Sequence, residues 1–159
     1  MLINFFYVVK EQGFWIRFAF SFFPVISLRP YYFLPVMSGY GEFYDLEVWK
    51  EARELRKAVS ILTRKFPQEE IYRLTDQIKR SSRSVTANIA EAHGRFHKKE
   101  LIQFQRHSRG SLKETLDHLF CALDEEYITQ EIFNEMKNRY EKCLKLLNGY
   151  ISYLNSRSA

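Results

Sequence analysis

Residues 46–66 read LEVWKEARELRKAVSILTRKF. Apolar side chains recur through this stretch at steps of four and three residues, the spacing that keeps them on one face of an α-helix. Asp45 is a plausible N-cap and Pro67 ends the pattern. The stretch therefore predicts a first helix that begins near Asp45 or Leu46, with a buried stripe made of Val48, Ala52, Leu55, Val59, Leu62 and Phe66.

Three more helices are predicted downstream. Thr75 is the expected cap of the second, and Gly94 is expected to end it as a left-handed residue. The third runs from about Lys98 to Tyr127, and its interior Gly110 indicates close helix contact or a slight bend. The predicted buried stripes are Ile78, Ser82, Val85, Ile89 and Ala92 on the second helix, and Leu101, Phe104, Ser108, Leu112, Thr115, Leu119 and Ala122 on the third.

The fourth helix follows Thr129, which can cap it, and alternates three and four residues between apolar positions. Four amphipathic helices with short connections predict an all-α, antiparallel up-down-up-down left-handed four-helix bundle over residues 43–155. Beside the main stripe, Leu144 and Ile151 fit either an oligomer interface or a broad core face. The main stripe consists of Phe133, Met136, Tyr140, Cys143, Leu147, Tyr150 and Leu154.

Residues 1–36 form an aromatic-rich extension. Its apolar residues show neither helical nor strand periodicity, so irregular structure is expected. The longest charge-free run, Phe18–Leu28, has the length of a signal-peptide apolar region and is too short to span a bilayer. A secretory signal, a membrane-associated arm and upstream sequence from a start placed too early are the competing interpretations. A small-residue cleavage site is missing and the helical pattern begins after Met37, so we expect Met37 as the native start. An arm that packs on the body is the alternative.

The chain of 159 residues is the size of one domain and contains only two cysteines, Cys121 and Cys143. Both fall on or next to apolar stripes, so we expect buried, reduced thiols. A pairing across two helices stays open. Two cysteines without a short-loop framework favour a reducing compartment, and a cytoplasmic protein with no membrane partner is predicted.

Positive charge is concentrated in the middle of the chain. Residues 73–109 hold nine Lys or Arg against three acids, whereas residues 38–72 and 110–159 each hold more acids than bases. If these cations converge across the second and third helices, they form a surface suited to a phosphate-bearing partner. An ordinary solvated helix face is the competing interpretation. The candidate nucleic-acid-binding residues are Lys79, Arg80, Arg83, Arg95, Lys98, Lys99, Arg106 and Arg109.

Several polar and small residues nearby are predicted to be structural. Glu91 and Arg95 can form an i,i+4 ion pair. Asn88 and Glu91 can instead anchor the third helix near Ser111 by satisfying buried polar groups, and Gly94, Gly110 and Ser111 belong to the same structural set. Phe96 and Phe104 could stack on bases, although a core position suits Phe104 better.

Neither a metal site, a cofactor nor an active site is predicted. His93 and His97 straddle Gly94, and Glu114 with His118 supplies only two same-face ligands where zinc needs three or four. The sequence contains no paired Glu-x-x-His set of the ferritin-like type, no phosphate loop, no nucleophile elbow and no cysteine–histidine pair. The sequence therefore predicts a non-enzymatic protein.

Four ordered motifs carry a resemblance to a known family: Tyr44–Trp49 (YDLEVW), Phe66–Ile78 (FPQEEIYRLTDQI), Asn88–Arg95 (NIAEAHGR) and Arg109–Glu114 (RGSLKE). Together they resemble the bacterial 23S rRNA intervening-sequence proteins. The resemblance implies a left-handed four-helix bundle that assembles as a ring-like homopentamer with a basic surface, and it does not imply an active site. Related bundles serve diversity-generating retroelements beside a reverse transcriptase. The family pattern has glycine where this chain has Ala92, which bears on how that helix end packs.

The sequence thus predicts a homo-oligomeric bundle that binds RNA or DNA through its second and third helices, with ribosomal RNA favoured by the resemblance alone. The alternative is a protein–protein scaffold or an accessory subunit of a nucleic-acid enzyme such as a reverse transcriptase.

Overall fold

The chain forms two units, Met1–Val36 and Met37–Ala159. In the first, β1 (Val8–Glu11) and β2 (Phe14–Arg17) pair antiparallel, with Glu11 opposite Phe14. Their valine, isoleucine and aromatic residues favour strands, so the prediction of irregular structure fails for this hairpin. The Phe18–Leu28 run lies outside the described residues. The computed structural model describes residues 8–11 and 14–17 as backbone, and residues 41–95 and 97–156 with their side chains.

The second unit consists of four helices, which confirms the predicted all-α class. Each helix packs against its neighbour in sequence, and the fourth packs back on the first, as a closed four-helix arrangement requires. The left-handed supercoil stays a prediction. No helix in the described part of the chain combines the length and apolar character needed to cross a membrane. The helices are α1 (Glu47–Leu62), α2 (Leu74–His93), α3 (Lys98–Asp124) and α4 (Gln130–Ser156).

Every residue of the stripes predicted for the first and second helices is buried, although α1 ends at Leu62 and Phe66 follows a 3-10 turn. At the start of α3 the buried face differs from the predicted one. Ile102 and Gln105 are buried there, whereas Leu101 and Phe104 are only half-buried. Leu119, Leu112 and Gln105 are seven residues apart, so Gln105 occupies a core position although it is polar. On α4, Ile151 replaces the predicted Tyr150 in the core, which favours the broad core face over a separate stripe.

The N-terminal caps of α1 and α2 differ from the predictions. The Asp45 carboxylate accepts a hydrogen bond from the Glu42 amide at 3.1 Å and belongs to a preceding 3-10 turn. Thr75 lies inside α2, and the Leu74 amide is capped instead by Glu70 Oε2 at 3.1 Å. In α2 a side chain from the preceding turn thus satisfies a donor that the sequence had assigned to Thr75. At Leu46, the N-cap residue of α1, no side-chain cap is formed among the described residues.

The ends of α2 and α3 and the start of α4 match the predictions only in part. Gly94 follows α2 as predicted, but its φ of −78° is right-handed. The third helix ends at Asp124, before the predicted Tyr127, and Glu126 is the residue that turns the chain at a φ of 57°. Thr129 caps α4 as expected, because its Oγ1 accepts from the Ile132 amide at 3.4 Å.

Cys121 and Gly110 differ from the predictions, whereas Cys143 agrees with them. Both thiols are free; Cys143 is buried as predicted, whereas Cys121 is exposed. Burial raises the pKa of Cys143 to about 12. Gly110 is not explained by a close helix contact, since a Cβ there would meet no heavy atom within 4 Å among the described residues.

Candidate nucleic-acid interface

Hydroxyl side chains line the contact between α2 and α3, and we call this contact the hydroxyl seam. Ser108 Oγ donates to the Val85 carbonyl at 2.9 Å. Thr115 Oγ1 and Ser81 Oγ share a hydrogen bond of the same length. Ser81, Ser108 and Thr115 are buried, so these bonds satisfy groups that would otherwise be costly to desolvate. The small side chains let the two backbones approach closely.

The predicted structural residues join the seam only in part. Asn88 Nδ2 donates to Ser84, and Ser111 Oγ donates to Ser84 Oγ at 2.9 Å, so Ser84 links Asn88 to the third helix. Glu91 lies outside this network and instead pairs with Arg95 as an i,i+4 neighbour. The structure thus connects Asn88 to Ser111 only through Ser84, and it places Glu91 in an ion pair with Arg95.

The basic residues of α2 lie on the side that faces α1. Arg83 is exposed and lines a groove whose other wall is α1. Arg80, one turn earlier, has a side chain that is 77% exposed and lies 3.8 Å from Asp76. Lys79 is half-buried beside them. Because Lys79 and Arg80 precede Arg83 by four and three residues, helical spacing puts them on the same side of α2 as Arg83.

We call this groove the basic groove. It encloses about 580 Å³, and the described residues that line it carry two arginines and no carboxylate. The guanidinium of Arg56 donates through Nη1 to Thr86 Oγ1 at 2.9 Å, which fixes its position. Arg83 supplies the second charge. The residues that line the basic groove are Phe43, Trp49, Arg56, Ser60, Arg83, Thr86, Ala87 and Ala90.

Aromatic rings form one end of the basic groove. Phe43 and Trp49 are in edge contact with ring centroids 5.3 Å apart, and both rings are half-buried. The Arg53 guanidinium lies 5.9 Å from the Trp49 ring. An arrangement of guanidinium groups next to aromatic surface can hold a phosphate and a base of one nucleotide together.

Arg56, Trp49 and Phe43 were not predicted from the sequence, because a count of charges by segment does not single them out. Over residues 38–72 the acids outnumber the bases. None of these acids lines the groove, and Glu51, for example, pairs with Lys142 of α4. The available signal was the seven-residue step from Trp49 to Arg56, which places both on one side of the helix.

The basic residues Arg106 and Arg109 of α3 lie on the side of that helix next to α4. Arg109 Nη1 donates to Asn148 Oδ1 of α4 at 3.4 Å, and the exposed Arg106 lies one turn earlier on the same side. The hydroxyl seam separates this pair from Arg80 and Arg83. The expected convergence of cations across the second and third helices is therefore not found.

A third group lies at the connection between α2 and α3. Arg95 pairs with Glu91, and its guanidinium also lies 4.8 Å from the centre of the Phe104 ring. Phe104 is therefore partly exposed under a cation and not a core residue. Lys99 is exposed, whereas Lys98 Nζ is buried with no hydrogen-bond partner in the described part of the chain. Phe96 lies outside the described residues.

Comparisons with known proteins identify the family of the helical unit. The sequence model of the family described as 23S rRNA-intervening sequence protein matches residues 44–149. A solved structure of a protein of unknown function from the S23 ribosomal protein family of Bacteroides thetaiotaomicron VPI-5482 is similar, with 26% sequence identity and a TM-score of 0.62. The match covers 66% of this chain and 95% of that one. None of the curated proteins matches the chain.

Proposed function

Because this chain belongs to the 23S rRNA-intervening sequence protein family, we propose that it is a non-enzymatic, oligomeric helical-bundle protein that binds RNA. Membership in that family indicates an RNA-related role and confirms the resemblance carried by the four motifs. Ribosomal RNA is the favoured ligand, and a bacterial cytoplasm is the favoured setting. The binding surface differs from the one that the sequence predicted.

The basic groove is the observation that carries this proposal. Arg56 and Arg83 present two guanidinium groups in a groove lined, among the described residues, by no carboxylate. Guanidinium groups bind phosphate oxygens in a bidentate manner. Arg80, which is largely exposed beside the groove, extends the positive surface along α2. The cations of α3 belong to a different side and are not needed for this site.

The aromatic end of the groove favours unpaired bases. Bases of a duplex are stacked and cannot reach Trp49 or Phe43, whereas bases in loops and single strands can stack on such rings. Stacking does not depend on which base is present, so little sequence preference is expected. The proposed ligand is therefore a single-stranded segment or loop of RNA.

A gel-shift titration at two salt concentrations tests this function. We expect a single-stranded RNA to be retarded at low salt, with log affinity falling against log salt at a slope of roughly −0.7 for each phosphate neutralised. Contacts from Arg56, Arg80 and Arg83 would give a slope of about −2. A matched duplex should bind more weakly. If neither RNA is retarded at low salt, the proposed function is wrong.

The oligomeric state is a separate part of the proposal. By family resemblance we expect a homopentamer, so light scattering of the full chain should give a mass about five times 19.1 kDa. A stable monomer at micromolar concentration would contradict the oligomer.

Exposed apolar side chains favour the alternative function of a protein scaffold. Tyr72 is 92% exposed in the connection between α1 and α2, next to Ile71, which is 45% exposed. Such residues suit a protein contact, for example with a reverse transcriptase or another nucleic-acid enzyme. RNA that is retarded only when such an enzyme is added would favour this scaffold over direct binding.

A further inference from the structure

Three potential metal ligands lie together on the exposed side of α3. A carboxylate oxygen of Asp117, a ring nitrogen of His118 and the Sγ of Cys121 all lie within 4.8 Å of one another. Residues three and four apart share one side of a helix, so Cys121 comes next to both of the others. From the sequence, only Glu114 was considered as a second metal ligand beside His118, because Cys121 was expected to be buried.

The histidine supplies an independent observation. His118 Nε2 is buried and has no hydrogen-bond partner among the described residues. The nearest acid, Glu114 Oε1, lies 3.7 Å away, too far for a hydrogen bond. Buried polar side-chain atoms are normally paired, and an unpaired one calls for a bridging water, an ion or another partner.

The surroundings of the cysteine are negative. The carboxylates of Asp117, Asp124 and Glu125 lie around its thiol. Cys121 also lines a groove of about 630 Å³ that includes Glu69, Glu70 and Glu125 with Arg73 as its one cation among the described lining residues. These negative charges favour a bound dication, which would in turn stabilise the thiolate as a ligand.

We propose that Asp117, His118 and Cys121 form a binding site for a divalent transition metal ion. One sulfur, one nitrogen and one oxygen donor match the ligands of zinc, whereas magnesium and calcium require oxygen donors. Three protein ligands leave one tetrahedral position for water or for Glu114, which is already close to His118. The site lies on α3 and shares no residue with the basic groove, so it does not depend on RNA binding.

Titration of the tag-free full chain with Co²⁺ tests the site. We expect one ion bound per chain, with the charge-transfer absorption that marks a thiolate bound to cobalt, and loss of that absorption when Zn²⁺ is added. Cys121→Ser should abolish the absorption, and His118→Gln should weaken binding about tenfold or more. His107→Gln removes an exposed histidine of the same helix and should leave both unchanged. Circular dichroism checks that each variant is folded.

Three results would overturn the site. The first is the absence of thiolate absorption at millimolar Co²⁺, and the second is its persistence in Cys121→Ser, which would assign it to another sulfur. The third is an equal loss of affinity in His107→Gln and His118→Gln, which would mean adventitious binding by surface histidines.

Discussion

Replacing Arg56 and Arg83 together by glutamate is expected to weaken the binding of single-stranded RNA by about 100-fold at low salt. Each arginine offers a charge-assisted contact to phosphate worth about 1.5 kcal/mol or more, and each 1.4 kcal/mol is about tenfold in affinity. The substituted carboxylates would also repel the RNA backbone. The salt slope should become shallower by about 1.4, because two phosphate contacts are lost. Filter binding at several salt concentrations measures both quantities.

The matched control reverses two cations elsewhere on the bundle. Lys137 and Arg139 are exposed on α4, pair with Glu141 and Glu135, and do not line the basic groove. Their double replacement by glutamate changes the net charge equally. At about 0.15 M salt it should lower affinity by less than about threefold, because exposed charges beyond the Debye length of about 8 Å are screened. Equal losses in both variants would show that total charge, and not the groove, governs binding.

A single replacement keeps the test interpretable if the double variant is unstable. Arg56 holds Thr86 through a hydrogen bond, so its loss affects packing as well as charge. Arg83→Glu leaves that bond intact and alters an exposed side chain. It should lower RNA affinity by about tenfold with little change in the melting temperature. An unchanged affinity would remove Arg83 from the proposed site.

Much of the fold could be predicted from the sequence because apolar spacing reports directly which side of a helix is buried. The six-residue stripe predicted for the first helix and the five-residue stripe predicted for the second are buried, as expected. The error at the start of α3 has a physical cause. The polar residue Gln105 occupies a core position there. A prediction based on the spacing of apolar residues therefore assigned Leu101 and Phe104 to the core, although both lie at its edge.

The candidate sites were harder to predict because they depend on how neighbouring helices are rotated. Local sequence shows that Arg83 and Arg109 are exposed, but not that one faces α1 and the other α4. The same difficulty hid Cys121, which lies next to the apolar stripe but outside the core. Periodicity separates inside from outside, whereas a binding site requires knowing which two outer faces meet.

Replacing Ser108 by leucine is expected to destabilise the bundle by about 3 kcal/mol. Ser108 is completely buried at the hydroxyl seam, where its Oγ bonds the Val85 carbonyl at 2.9 Å. Leucine adds volume where the helix backbones lie close, and overpacking of this kind costs about 1–3 kcal/mol. Loss of the hydrogen bond adds about 1 kcal/mol. Urea denaturation followed by circular dichroism measures the free energy of unfolding.

Ser108→Ala separates the two contributions, because it removes the hydroxyl without adding volume. It should cost about 1 kcal/mol, since the Val85 carbonyl is an acceptor within α2 and keeps its place in the helix. The difference between the leucine and alanine variants then reports how tightly α2 and α3 are packed. If both variants lose the same stability, the seam has room for a larger side chain. Close approach would then not explain why serine and threonine occupy this contact.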